Sequence, residues 1–292
     1  MLPYSIIQSQ VSQALAEDIG SGDVTASLIP ENKYATAHLI CRENAVLCGK
    51  SWFNEVFQQL NQQSTPDTEN PIAPVTIKWN FDDGESIAED QSICTLTGSA
   101  RSILTGERTA MNFLQTLSGT ATVTASYVAH LQGSQVKLLD TRKTIPGLRE
   151  AQKYAVSCGG AHNHRHGLFD GILIKENHIM AAGSITHAIN TVRETSPHTL
   201  KIEVEIETLE EMKEALAAKA DILLLDNMDN EMLKQAVALN HSPNLGQAKL
   251  EVSGNITHER LKDLAYIGID YISTGAITKH LRAVDFSLRF EK

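Results

Sequence analysis

The second half of the chain alternates between short apolar runs and helix-like segments, and this alternation restricts the possible folds more than any other feature. Apolar runs of strand length begin near residues 136, 171, 202, 222, 250 and 271. Segments with helical spacing of apolar residues separate most of them, at 148–157, 184–194, 208–219, 230–240 and 257–266. Alternating strands and helices predict a parallel sheet with right-handed crossovers. This many units in roughly 150 residues predicts a closed or nearly closed β/α barrel. The alternative is an open, doubly wound sheet, which the lack of a GxGxxG sequence after a strand disfavours.

The first part of the chain has a different pattern, which predicts a small α/β layer domain. Apolar residues have helical spacing at 4–17 and 52–60, and strand-like runs occur at 35–41, 75–79 and 93–97. Residues 61–74 are polar and contain three prolines, which predicts a mobile surface loop. Two helices are predicted next, at 103–117 and 123–131, with a break at Ser118 and Gly119.

Charge and composition exclude several classes of function. The formal net charge is −10 and the sequence pI is near 5.5, which argues against nucleic acid or an anionic membrane as the main partner. The N-terminus lacks the pattern of a signal peptide, and no run approaches the ~20 apolar residues that span a bilayer. The four cysteines form no CxxC pair, which predicts reduced thiols in a cytoplasmic protein.

Every predicted strand of the second half ends in polar or charged residues. Active sites of β/α barrels are built at this face, so the six strand ends predict a catalytic rim. Their sequences are DTRK at 140–143, KEN at 175–177, EVE at 203–205, DN at 226–227, SGN at 253–255 and STG at 273–275.

The rim residues divide into three chemical groups. Arg142, Lys143, Arg165 and Lys175 supply positive charge that suits carboxylates and phosphates. Two carboxylates, Glu205 and Asp226, end neighbouring strands and predict an Mg²⁺ site facing a phosphate. Small-residue loops precede two helical segments, and their free backbone N–H groups predict phosphate binding by Ser253, Gly254, Asn255, Ser273, Thr274 and Gly275.

The histidines between the first two strands do not predict a metal site. His162, His164 and His166 alternate, but no further ligand lies at a suitable spacing and Arg165 opposes a cation, so a zinc site is disfavoured. Hydrogen bonding to an anionic substrate is the preferred role of His164. No nucleophile motif is visible, so covalent catalysis is not indicated. The residues alone predict a barrel enzyme that binds a phosphorylated polyanion with Mg²⁺, and a second substrate bearing carboxylates.

The motifs, taken in order, resemble the quinolinate phosphoribosyltransferase family over nearly the whole chain. The resemblance rests on EDIGSGD at 17–23, ERTA at 107–110, DTRKT at 140–144 with PGLR at 146–149, NHR at 163–165, IKENH at 174–178, EVE at 203–205 and LDN at 225–227. It implies an N-terminal α/β sandwich domain, expected over residues 1–115, and an incomplete, open β/α barrel over 116–276. The tail, about 277–292, is expected to pack back on the first domain.

The resemblance also implies the reaction and the residue roles. Quinolinate would attack C1 of phosphoribosyl pyrophosphate, pyrophosphate would leave, and the 2-carboxylate would be lost as CO₂, giving nicotinate mononucleotide. Lys143, Lys175, Glu205 and Asp226 would be catalytic, with the two lysines stabilising charge on the departing pyrophosphate and the two carboxylates holding Mg²⁺ or facing the developing ribosyl cation. Quinolinate would be bound by Arg142, Lys143, His164, Arg165 and, across a homodimer interface, Arg108. From the residues alone, Arg108 is a surface arginine paired with Glu107 or Glu85.

One departure and two alternatives accompany the resemblance. The family usually has three glycines before the NHR motif, and here the first is Cys158, for which we expect only a local packing difference. A related phosphoribosyltransferase-like family of molybdate transport operons would use another acceptor, but Arg108, Arg142 and Arg165 favour quinolinate. A non-catalytic ligand sensor is disfavoured because Lys175, Glu205 and Asp226 are all present.

Overall fold

The computed structural model describes residues 3–30, 32–63, 72–243 and 245–291. Its helices are α1 Tyr4–Ile19, α2 Lys50–Gln63, α3 Ala100–Ala129, α4 Arg149–Cys158, α5 Glu176–Ala182, α6 Ile185–Thr195, α7 Leu209–Ala217, α8 Asn230–Asn240, α9 His258–Leu264 and α10 Ala276–Lys279. Its strands are β1 Tyr34–Cys41, β2 Ala45–Val46, β3 Thr76–Trp79, β4 Ser86–Ile87, β5 Ser92–Ser99, β6 Lys137–Leu139, β7 Ile172–Ile174, β8 Ile202–Ile206, β9 Ile222–Asp226, β10 Lys249–Ser253, β11 Tyr271–Ser273 and β12 Phe286–Phe290.

The described residues form two compact units. The first unit comprises the described residues of 1–125, 145–160 and 280–292. The second unit comprises the described residues of 126–144 and 161–279. The domain boundary expected between residues 115 and 116 falls inside the single helix α3 and stays a prediction. Within the described residues, no helix has the length and apolar character needed to cross a bilayer.

The first unit is built on a four-stranded antiparallel sheet with the order β12-β1-β5-β3. Alternate residues of β1, namely Ala37, Leu39 and Cys41, are fully buried, as the sequence pattern predicts for a half-buried strand. Helices α1 and α2 pack together, and the aromatic side chains of Trp52 and Phe53 lie in the same core. Strand β12 pairs with β1, so residues 286–290 belong to this sheet.

The region predicted as two helices, 103–117 and 123–131, is one helix of 30 residues, so the predicted break is wrong. The two small residues serve close contacts instead. A Cβ on Gly119 would collide with the carbonyl oxygen of Arg282. The hydroxyl of Ser118 accepts from the backbone N–H of Cys48 at 2.9 Å and donates to its carbonyl oxygen at 3.1 Å. Of the predicted loop at 61–74, residues 61–63 belong to α2 and 64–71 lie outside the described residues.

The second unit is built on a parallel six-stranded sheet with the order β6-β11-β10-β9-β8-β7. Strands β7 to β11 lie side by side in chain order, so the sheet winds in one direction and the doubly wound alternative is wrong. Strands β6 and β7 form its two edges, and a parallel bridge from Leu139 to His162 adds a short segment beside β6. This sheet is the open, barrel-like architecture that was predicted, and with the first unit it confirms the α/β class.

Candidate active site

The strand register places the polar strand ends at one edge of the second unit. Glu205 pairs in register with Leu224, and Asp226 pairs with Ser253 on the next strand. Ser273 in turn pairs with Leu139, which directly precedes the 140–143 motif. Because all six strands are parallel, the residues that follow them lie at the same edge, as expected of a barrel rim.

The four residues predicted as catalytic lie together at this edge. Lys175, the residue before α5, forms an ion pair with Glu205, and their side chains are 45% and 14% exposed. Burial raises the pKa of Asp226, the charge of Glu205 raises it further, and the charges of Lys175 and Lys143 lower it. Two carboxylates and two ammonium groups therefore interact within one patch.

Two predicted quinolinate ligands, Arg142 and Arg165, lie close enough for their charges to interact. Burial lowers the pKa of Arg165, and the charge of Arg142 lowers it further. The Arg165 guanidinium donates to the carbonyl oxygen of Gly171 at 3.0 Å. Both arginines border a cleft of about 550 Å³, which Lys175 and His178 also line. Adjacent cations repel one another, so this cleft is suited to an anion with more than one negative charge.

His164 is held by its neighbours in a defined orientation. Asp140, which is fully buried, accepts from the Asn163 side chain and from the His164 backbone N–H, both at 2.8 Å. The His164 Nδ1 accepts from the Arg165 backbone N–H at 2.7 Å, so the proton of the neutral ring is assigned to Nε2. That nitrogen lies 3.1 Å from Glu203 and 3.5 Å from Glu251.

Glu203 and Glu251 form a buried carboxylate pair that the sequence analysis did not single out. They are 4% and 2% exposed, and in each the Oε1 atom has no hydrogen-bond partner among the described residues. Burial, followed by the charge of Glu203, raises the pKa of Glu251 to about 7. Both line a second cleft, of about 440 Å³. Their signal was present in the sequence, because Glu203 precedes Glu205, and Glu251 precedes Ser253, by two residues on the same strand face.

His164, Glu203 and Glu251 also have the spacing of a three-ligand metal site, since their ligand atoms lie within 4.8 Å of one another. The tautomer of His164 disfavours that interpretation. A ring that accepts a hydrogen bond at Nδ1 carries its proton on Nε2, and an N–H group donates to a carboxylate and does not coordinate a cation. The Nε2–H group of His164 is therefore directed at Glu203, 3.1 Å away, while the Oε1 atom of Glu251 lies 3.5 Å from the same nitrogen without forming a hydrogen bond.

The loop after β10 has backbone geometry suited to a close approach by an anion. Gly254 and Asn255 have positive φ angles of 85° and 48°. A Cβ on Gly254 would collide with the Asn227 side chain, so this position requires glycine. Arg260 donates to the carbonyl oxygens of Gly254 and Met228, both at 2.6 Å, and thereby ties together the loops after β10 and β9. Nothing in the sequence pattern distinguished Arg260.

Two of the three residues predicted to bind phosphate at the end of β11 are buried. Ser273 and Thr274 are 3% and 7% exposed, and the Ser273 hydroxyl bonds to Glu251. The Thr274 hydroxyl accepts from the Ala276 backbone N–H at 3.1 Å. A Cβ on Gly275 would lie 3.0 Å from the Lys143 side chain, so the glycine leaves room for that lysine. Of these three residues, the structure brings only Gly275 against a predicted catalytic group.

Arg108 lies in the first unit, exposed on α3. Burial raises the pKa of the neighbouring Glu107, and the charge of Arg108 partly offsets that rise.

Comparisons with known proteins agree over nearly the whole chain. The models of the quinolinate phosphoribosyl transferase N-terminal and C-terminal domains match residues 23–118 and 120–289. A relative from Synechocystis sp., named probable nicotinate-nucleotide pyrophosphorylase (carboxylating), is 38% identical over 98% of this chain and 93% of its own length. A relative of the same name from Bacillus subtilis is 38% identical over 93% and 89%.

Solved structures show the same similarity. The nicotinate-nucleotide pyrophosphorylase from Francisella tularensis superposes with a TM-score of 0.91 at 45% identity, covering 100% of this chain and 98% of that one. Both family models and near full-length relatives thus agree with the motifs and with the fold. This chain belongs to the quinolinate phosphoribosyltransferase family.

Proposed function

We propose that this chain is a decarboxylating quinolinate phosphoribosyltransferase, a pentosyltransferase of NAD biosynthesis. It transfers the phosphoribosyl group of phosphoribosyl pyrophosphate to the ring nitrogen of quinolinate and releases pyrophosphate and CO₂. The observation that carries this proposal is the meeting of Lys143, Lys175, Glu205 and Asp226 at one edge of the parallel sheet of a chain of this family. We also propose a cytoplasmic location, which the four free cysteines support.

Quinolinate binding is assigned to the cleft that Arg142 and Arg165 border. Quinolinate has two adjacent carboxylates, and two neighbouring guanidinium groups match that charge and geometry. His164 contributes by fixing Arg165 through the backbone hydrogen bond to its Nδ1. With the acceptor held in this way, its ring nitrogen can be aligned with C1 of the ribose, and this alignment lowers the barrier without a covalent enzyme intermediate.

The leaving pyrophosphate is assigned to the lysines of the same edge. Lys143 and Lys175 stabilise the charge that develops as the bond from C1 to the pyrophosphate oxygen breaks. Glu205 and Asp226 face the ribose, where positive charge develops in the transition state. Ser253, Gly254 and Asn255, with Gly275, receive the 5′-phosphate through backbone N–H groups, and Arg260 holds the first of these loops.

Glu205 and Asp226 fit the binding of Mg²⁺. They lie near the ends of adjacent strands, each is partly accessible, and the charge of Glu205 raises the pKa of Asp226. Mg²⁺ prefers one or two carboxylates together with substrate phosphates, and when bound it supplies charge neutralisation of the pyrophosphate. The ammonium group of Lys175 forms an ion pair with Glu205 and would face the same phosphates as the metal.

Arg108 is proposed to act across the interface of a homodimer. Its position on α3 leaves the guanidinium exposed, and a two-fold dimer would deliver two such arginines reciprocally. Mixing Arg108→Ala with Lys175→Ala under subunit exchange then restores one intact site per mixed dimer, or roughly a quarter of wild-type activity. Proven exchange without recovery would place Arg108 in the site of its own chain.

The proposed reaction is tested with purified protein, quinolinate, phosphoribosyl pyrophosphate and Mg²⁺. The expected result is formation of nicotinate mononucleotide with equimolar release of CO₂ from the 2-carboxylate. Omission of phosphoribosyl pyrophosphate should abolish CO₂ release, because decarboxylation follows attachment to the ribose. A folded protein that binds quinolinate and forms no mononucleotide would contradict the proposal and support a ligand sensor.

A further inference from the structure

Cys48 and Cys158 lie on either side of the turn at residues 83–84, within the first unit. Cys48 sits between β2 and α2 and is fully buried, whereas Cys158 is the last residue of α4 and is partly accessible. Tyr154 and Cys158 are four residues apart on α4 and therefore share a face. The Tyr154 hydroxyl donates to Asp83 at 2.9 Å, and Asp83 also accepts from the backbone N–H of Gly49 at 3.1 Å.

The backbone gives a second, independent placement of the two cysteines. The N–H of Gly84 donates to the carbonyl oxygen of Leu47 at 2.8 Å. A Cβ on the same glycine would lie 3.4 Å from the carbonyl oxygen of Cys158. The two residues on either side of Cys48, Leu47 and Gly49, thus contact the turn at residues 83–84, and the end of α4 contacts the same turn. The thiols of Cys48 and Cys158 are also close enough for each to shift the pKa of the other.

The two thiols have opposite chemical character. The hydrogen bond from Cys48 lowers the pKa of Cys158, and the Tyr154 hydroxyl lowers it further, although burial acts in the opposite direction. Burial raises the pKa of Cys48 well above its ordinary value. A thiolate is the reactive form of cysteine, so Cys158 is the more reactive of the two. Burial raises the pKa of both other cysteines, Cys41 and Cys94.

We propose that Cys48 and Cys158 are a redox-active thiol pair that hydrogen peroxide converts to an intramolecular disulfide. The Cys158 thiolate attacks one peroxide oxygen, the O–O bond breaks, and a sulfenic acid and hydroxide form. The Cys48 sulfur then attacks the Cys158 sulfur, and the sulfenic oxygen leaves as water with the Cys48 proton. Cys158 loses two electrons in the first step, and peroxide is the acceptor. A dithiol reductant reverses the reaction.

The disulfide would tie the end of α4 to the segment before α2, two parts of the unit that are far apart in sequence. Such a cross-link restricts the unfolded chain, so the oxidised protein should have the higher Tm. The proposal does not depend on the reaction that the rim catalyses.

The test treats the full-length protein with hydrogen peroxide, alkylates the remaining thiols, and maps the products by mass spectrometry. We expect loss of two thiols, a mass lower by two hydrogen atoms, and one cross-linked peptide joining Cys48 to Cys158. Dithiothreitol should restore both thiols. Cys94→Ser should form the same cross-link, whereas Cys158→Gly should form none and should retain the other three thiols.

Three results would overturn the proposal. The first is peroxide treatment that leaves all four thiols of the wild-type protein free. The second is accumulation of sulfinic acid on Cys158 without a cross-link, which would show that Cys48 cannot reach it. The third is a disulfide that involves Cys41 or Cys94. All three are read from the wild-type protein, so the test does not depend on whether a variant folds.

Discussion

The parallel sheet carries acidic groups in two layers, and the layers differ in the side chains that lie beside those groups and in their access to solvent. The rim layer contains Lys143, Lys175, Glu205 and Asp226, and the inner layer contains His164, Glu203 and Glu251. Glu203 and Glu205 lie on the same face of β8, about 7 Å apart along the strand. Glu205 is paired with the partly exposed Lys175. Glu203 instead faces a histidine and a second carboxylate, and one of its oxygens has no hydrogen-bond partner among the described residues.

The difference separates groups that a substrate can reach from groups that hold the site in place. Rim charges have counter-charges and access to solvent, so a polyanionic substrate can exchange with them at small cost. The charged groups of the inner layer are removed from water without a full set of hydrogen bonds. Their burial therefore lowers the stability of the folded state. We expect substitutions in the rim layer to change turnover and substitutions in the inner layer to change stability and its pH dependence.

The largest effect is expected from changing the substrate at the rim. Nicotinate has one carboxylate where quinolinate has two, so one guanidinium of the Arg142–Arg165 pair would stay unpaired. Arg142 is exposed and Arg165 half-buried in the free protein, and a bound acceptor would cover both. A covered charge left unpaired costs on the order of 2–5 kcal/mol, which predicts a kcat/KM for nicotinate about 30-fold to several thousand-fold lower. Competition kinetics with both acceptors measures this ratio. Similar values for the two acceptors would remove the basis for assigning the arginines to the carboxylates.

Lys175→Ala tests whether the rim ion pair acts in the transition state. We expect kcat to fall by about 10²–10³-fold, with a smaller change in quinolinate binding, because the lysine stabilises charge on the leaving group. The matched control is Lys213→Ala, which removes an exposed lysine paired with Glu210 in the same unit. Near-normal turnover of the Lys175 variant would show that this lysine only ends a strand.

Asp226→Asn separates function from stability within the rim layer. Its pKa is raised by burial and by Glu205, so ionisation of Asp226 is less favourable in the folded protein than in the unfolded chain. Folding stability at this site is therefore greatest below the unfolded pKa and falls as the pH rises through the folded value. At neutral pH the variant should have a slightly higher Tm, together with lower activity and a higher Mg²⁺ requirement. Loss of both Tm and activity would instead mark Asp226 as structural.

Glu251→Gln gives the smallest expected effect on turnover and tests the inner layer. The folded pKa of Glu251, about 7, exceeds its ordinary value of 4.5. Stability from this group is complete below 4.5 and is lost as the pH rises toward 7. The Tm of the wild-type protein should therefore decline across this range, and the variant should show a flatter profile. Calorimetry measures both, with Glu210→Gln as an exposed control. An unchanged profile would show that folding does not raise the pKa of Glu251.

The positions of the rim residues were largely predictable from the sequence. Each strand of the second unit is a short apolar run whose polar end is visible locally, and parallel pairing brings those ends to one edge. Placing Lys175, Glu205 and Asp226 together required only the order of the strands. The alternation of strands and helices predicted a closed or nearly closed barrel, and the open form was implied by the family resemblance; the observed strand order, with five consecutive β/α units side by side, has two free edges.

Other features could not be derived from local patterns, because they depend on contacts between distant residues. Helix α3 continues through Ser118 and Gly119. These residues are small because the Ser118 hydroxyl bonds to the backbone of Cys48 and the Arg282 carbonyl oxygen packs against Gly119. Ser273 is 3% exposed, and its hydroxyl lowers the pKa of Glu251, which lies on the neighbouring strand; this contact was not visible in the sequence, and phosphate binding by Ser273 stays a prediction.

The sequence by itself determined the architecture and the chemistry of the rim, because strand periodicity and the polar ends of strands are local properties of the chain. Tertiary structure decided which charges are paired and which are buried. Arg260 can donate hydrogen bonds to two loops only because α9, on which it lies, packs beside them. Glu251 acquired its raised pKa only when β8 and β10 placed a second carboxylate and His164 beside it, away from water. Hydrogen-bond partners and desolvation are set by neighbours in space, and these neighbours are fixed only when the strands assemble.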